Sequence, residues 1–176
     1  MHFSESHLTL LKSIQDEWNK AEGDIKTAEM VVHSIVIPSI KELRYAGRRV
    51  IDALMVIAGD QENPDHDRIK SLLDDACFDC HRARHDAIDA ATAKIAADLE
   101  IMVEKLGYES ILPAFPAFPS LYQNLTDIRE KICKSRSDRD NRDAIYSTIE
   151  TIDFRGLVAS FNQMRGCEAI MVSEKE

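Results

Sequence analysis

The sequence predicts an all-α protein: an antiparallel bundle of four long helices plus a short C-terminal helix, in a single domain over residues 1–176. Three observations predict it. Apolar residues recur at three- and four-residue spacing along most of the chain, the signature of amphipathic helices packed on a shared core. Helix punctuation stands at the ends of these stripes, at Gly59, at Asn63-Pro64 and at Gly107. The stripe also turns polar in three segments, Glu42 to Asp52, Asp74 to Asp89 and Lys134 to Asp143, where Arg, Asp and His crowd in.

A first helix over residues 4–36 follows from the stripe Leu11, Ile14, Trp18, Ala21, Ile25, Ala28, Val32 and Ile35. Gly23 within it costs about 1 kcal/mol relative to alanine, which burial of the stripe offsets. Pro38 disfavours helix at Ile37, so a kink or break is expected there. The second helix rests on Ile40, Leu43, Gly47, Val50, Leu54 and Ile57 and stops at Gly59-Asp60. The third has Asn63 as N-cap, Pro64 at its first position, Asp65 and Asp67 at the positive end of its dipole, and Gly107 past its end. Residues 64–106 make a rod of about 64 Å, joined to the second helix by a short turn and therefore folded back on it.

The segment 107–119 reads as a connector containing Pro113-Ala-Phe-Pro-Ala-Phe-Pro119. Prolines three apart would suit a polyproline II ligand of an SH3-type domain; otherwise Phe115 and Phe118 cover the end of the bundle. A fourth helix starts near Ser120 with Leu121, Leu125, Ile128 and Ile132. Through residues 134–143 it either continues as a polar layer or breaks and restarts with Ser137 as cap. A last helix from Phe154 to about Met171 carries Leu157, Val158, Phe161 and Met164, and the tail 173–176 is expected to fray.

A chain of 176 residues can bury one sizeable core. Its net charge of −9 argues against a nucleic-acid partner or an anionic membrane surface. Met1-His-Phe-Ser4 lacks the basic start and apolar core of a secretory signal, and the longest apolar stretch is far shorter than the roughly 20 residues of a membrane span. A cytoplasmic location is expected, with Cys77, Cys80, Cys133 and Cys167 as reduced thiols.

If the second and third helices fold back about residue 61 or 62, facing positions have numbers summing to about 123. Arg44 then falls near Asp79, Arg48 near Asp75, Arg49 near Asp74, and Glu42 near His81 and Arg82. For the third and fourth helices a looser sum of about 225 sets Arg136 near Asp89 and Arg139 near Asp86. Opposite charges meet in each case. They can fix helical register, or they can form a pocket in which Arg44, Arg48, Asp79, His81, Arg84, His85 and Arg139 hold an anionic ligand.

Cys77, His81 and His85 recur every four residues on one helix face, the spacing of transition-metal ligands. Cys77-Phe-Asp-Cys80-His81 matches the spacing by which haem is attached in c-type cytochromes, some of which are four-helix bundles. The match spans five residues and implies thioether bonds at both thiols and iron ligation by the histidine. No phosphate-binding loop, dinucleotide fingerprint, nucleophile elbow, His-Glu-x-x-His or Glu-x-x-His motif is present. The reading that follows is an interaction or scaffold protein without a catalytic motif or cofactor, whose partner is another protein or itself through a helix face, a homo-oligomer. The alternative is a ligand-binding or catalytic bundle built on the mid-bundle polar layer.

Overall fold

A computed structural model describes residues 4–59, 64–138 and 140–175. All regular structure among the described residues is helical: α1 (Glu5–Val32), α2 (Ile37–Gly59), α3 (His66–Leu106), α4 (Tyr108–Ala114), α5 (Phe118–Ser137), α6 (Arg142–Thr148), a π-helical segment (Ile149–Phe154), α7 (Arg155–Gly166) and α8 (Glu168–Lys175). No helix among them is long and apolar enough to cross a membrane. The chain forms two compact units, residues 1–88 and 89–176, and α3 supplies residues to both.

In the first unit, α1 opens on Ser4, whose hydroxyl accepts the His7 amide at 3.3 Å. It closes at His33, in the left-handed region at φ 57°, whose N–H donates to the Glu29 carbonyl. The chain therefore breaks before Ile37, earlier than proline alone suggests. Pro38 lies in the first turn of α2, where a missing N–H costs nothing. At the start of α3 the capping side chain is Asp65, which accepts the Arg68 amide at 3.0 Å; His66 is the first helical residue, so Pro64 precedes the helix. Asn63, expected as the cap, lies outside the described residues.

The core of this unit combines Ile14, Ile25 and Ala28 of α1, Leu43, Ala53 and Ile57 of α2, and Ile69, Leu73 and Ala83 of α3, all buried. Burying each Leu or Ile contributes about 1.5–3 kcal/mol. The apolar pattern of α2 is not one stripe but two. Leu43, Ala46, Ala53 and Ile57 face inward, while Ile37, Ile40, Ile51 and Met55 are exposed. Ile40, expected in the core, belongs to the outer set, and Val31 is buried near the end of α1 while Ile35, beyond the helix, is exposed.

In the second unit, Gly107 ends α3 at φ 73°. The expected connector is mostly helical. Pro113 lies inside α4 and Pro119 in the first turn of α5, so the proline repeat forms no polyproline II run. Phe115 and Phe118 are buried. The polar segment after Ile132 breaks: α5 ends at Ser137, and Asp138 accepts from the backbone and side-chain nitrogens of Asn141. Ser137 is no cap; its hydroxyl donates back to the Lys134 carbonyl. Residues 142–166 then continue through the π-helical segment into α7. The last helix divides at Cys167, and α8 runs to Lys175, beyond the point where fraying is expected.

Candidate functional site

The polar layer of the first unit grows from α1. Its core-facing positions include Glu17 and Asp24, seven residues apart and on the same side as Ile14, Ala21 and Ala28. Asp24 is only 3% exposed and Arg84, reaching it from α3, only 8%. The Arg84 guanidinium bridges the two carboxylates, with Nη1 2.6 Å from Glu17 Oε2 and Nε 3.4 Å from Asp24 Oδ2. His81 Nε2 stands 3.3 Å from the same Glu17 oxygen and 4.0 Å from Cys77 Sγ. Lys20 holds the other Glu17 oxygen at 2.7 Å. Burial pushes the Glu17 carboxyl up, but Lys20, Arg84 and His81 together outweigh it and hold it below the usual carboxylate value.

A second cluster joins α2 to α3. Arg49 pairs with Asp75 and lies 2.7 Å from the buried Asp79, as a close ion pair whose N–H is not aimed at the oxygen. Arg82 approaches Glu42 at 3.6 Å. Burial, reinforced by Asp79 and Asp86, raises the Glu42 carboxyl above its usual value against the pull of Arg82 and Arg49.

Among the residues singled out from sequence, Asp79, His81 and Arg84 thus enter the layer, and His85 is buried in the same stretch of α3. Arg44 and Arg48 do not. Arg44 lies over its neighbour Tyr45, and Arg48 pairs with Asp52 along the exposed side of α2. The helix pairing is close to expectation, since Arg49–Asp75 and Arg82–Glu42 fix facing numbers at a sum one above the expected 123. It is Arg49, not Arg44 or Arg48, that makes the contact. Arg139 lies outside the described residues. Glu17 and Asp24 are the members the sequence reading missed, and Arg49, expected near Asp74, was not counted among the pocket residues; two carboxylates on an otherwise apolar helix face were the available signal.

Chemically, this is a layer in which guanidinium groups are already engaged. Arg49, Arg82 and Arg84 face Glu17, Asp24, Glu42, Asp75 and Asp79, so an arriving anion would meet more carboxylates than cations. The haem-attachment reading does not fit either. Cys80 is 0% exposed, and burial pushes its thiol up to about 12, the opposite of a thiol available for bonding. No group of three or more His, Cys, Asp or Glu side chains among the described residues is placed to hold a metal ion.

A different feature opens to solvent beside this layer. Between α1 and α2 runs a groove of about 450 Å³ lined by Leu8, Leu11, Ile14, Trp18, Gly47 and Val50, together with Lys12 and Gln15. The Trp18 ring lies against Gly47, where an added methyl would meet it at 3.7 Å. From Gly47 the apolar surface continues around α2 to Ile40, Ile51 and Met55, which helical spacing places on the adjoining side. Comparison with protein-family models, with curated proteins and with solved structures returns no match to this chain.

Proposed function

We propose that this protein is a helical interaction protein, its long helices bundled antiparallel, that associates with a second copy of itself through the outer face of α2 and the adjoining groove. The observation that carries the reading is the second apolar stripe of α2: Ile51 is 55% and Met55 65% exposed on a helix whose opposite side fills the core. Exposed apolar side chains grouped on one side of a helix, here in two pairs with Arg44 and Arg48 between them, support an interaction site over ordinary surface scatter. The buried ion pairs, with their arginines already occupied, act as register between helices and leave the apolar face as the surface to be used.

Charge favours a second copy as the occupant. In a two-fold interface residue i meets j while j meets i. Arg48 and Asp52 flank the middle of the α2 stripe, so an axis near Val50 sets Arg48 of one copy opposite Asp52 of the other, twice. Light scattering at micromolar concentration tests this. The wild type is expected as a dimer, and Ile51→Glu with Met55→Glu as a folded monomer. Arg48→Glu should weaken the dimer, and adding Asp52→Arg should restore it. A wild-type monomer across the range would sink the proposal.

A further inference from the structure

The second unit holds a cleft of about 340 Å³ between residues 89–100 of α3 and residues 129–136 of α5, within the size range of small-molecule sites. Its floor is apolar and low, because Ala93, Ala96 and Ala97 face it from α3 and Ile132 from α5. One end is closed by groups that satisfy each other. Asp89 accepts the Tyr146 hydroxyl at 2.5 Å on one oxygen and meets Arg136 at 3.3 Å on the other. Burial, together with that hydrogen bond, pushes the Tyr146 hydroxyl up to about 12, so it remains a donor throughout the ordinary pH range.

Three polar groups facing the cleft are not satisfied in this way. Thr92 is 2% exposed and its hydroxyl has no hydrogen-bond partner. Such a group is costly to bury unless something completes it. Arg129 and Glu100 line the cleft and make no ion pair with any described residue. From the closed end, Arg129 stands seven residues along α5 and Glu100 eleven along α3, about 10 and 16 Å of helix rise. Arg129 and Glu100 are therefore offset by about 6 Å of helix rise along the cleft, with opposite signs and an alanine floor beside them.

We infer that this cleft binds a small zwitterion, a molecule with one acid group and one ammonium group separated by a short apolar spacer. Arg129 takes the acid group through its guanidinium fork, Glu100 takes the ammonium, the spacer lies on Ala93, Ala96 and Ala97, and the Thr92 hydroxyl bonds a polar atom of the ligand. A simple anion would leave Glu100 unanswered, and a simple cation would leave Arg129 so. The site is separate from the α2 face and stands or falls independently of self-association.

The test uses the full chain with 5-aminopentanoate as probe, and pentanoate and pentylamine as its half-molecules, read by calorimetry and by alkylation of Cys133, which is exposed and lines the cleft. Binding of 5-aminopentanoate at least tenfold tighter than either half-molecule is expected, with slowed iodoacetamide labelling of Cys133 located by peptide mapping. Arg129→Gln and Glu100→Gln, both at exposed positions and so compatible with folding, should each weaken the probe at least tenfold. Thr92→Val should weaken it less, and saturating probe should still slow Cys133 labelling. If the probe binds no better than pentanoate, or fails to protect Cys133, or binds Arg129→Gln as well as wild type, the assignment is wrong.

Discussion

Arg84 is the residue on which the first unit's polar layer turns, since it ties both Glu17 and Asp24 of α1 to α3. Arg84→Met removes the guanidinium from a buried carboxylate and is expected to cost about 3 kcal/mol. Arg44→Ala, at an exposed cation with no carboxylate partner, should stay within about 0.5 kcal/mol; urea unfolding compares the two. The carboxyls of the layer also answer pH in opposite senses. Glu17 sits below its usual value when folded, so its contribution is complete above the ordinary carboxylate range and is lost as pH falls through the folded value. Glu42 sits above its usual value, so the folded chain takes its proton first and gains stability as pH falls through that value toward the ordinary one. Between pH 7 and 4, Glu17→Gln should therefore flatten the loss of stability and Glu42→Gln should steepen it, in unfolding curves at several pH values. At this scale the sequence showed the charges but not their partners. A helix-pairing rule locates a contact to within about a turn and a half, and Arg44, Arg48 and Arg49 all fall within that span.

The helices themselves were legible because periodicity and capping are local. α1 as far as Val32, α3 and the buried positions of α7 lie where the 3/4 spacing puts them. What escaped detection depends on tertiary surroundings. α2 carries apolar residues on two sides, and no pattern in a single helix tells which side meets the core. The short helix α4 contains a proline and lacks the length over which a period can be read. The π-helical segment hid continuity of another kind. Ile149 and Phe154 are both fully buried, yet five residues in an α-helix rotate a side chain by about 140°. The i to i+5 ladder of a π turn brings that spacing back to one face, so a continuous rod read as two stripes. At the end of α3, Gly107 has φ 73° and ψ 157°, a backbone region essentially reserved for glycine, with no neighbouring atom where a Cβ would stand. Gly107→Ala should therefore show backbone cost alone, about 1–3 kcal/mol, measured by urea unfolding.

For the molecule as a whole, the net charge of −9 sets the conditions under which copies can meet. Two such chains repel at long range, and the repulsion is screened as the Debye length shrinks from about 30 Å at 0.01 M salt to about 8 Å at 0.15 M. The proposed association through α2 would be apolar at its centre, so added salt should tighten it, the reverse of an interface held mainly by ion pairs. The dimer expected by light scattering should accordingly be weakest at low ionic strength. The protein carries its own indicator of that event. Trp18 is the single tryptophan of the chain, and it sits in the groove beside α2, its indole N–H donating to Glu22 at 3.1 Å. Every photon of tryptophan emission therefore originates at the proposed contact. Covering the groove should shift that emission to shorter wavelength and shield it from acrylamide, so unlabelled protein reports by fluorescence alone when, and at what dilution, its partner leaves.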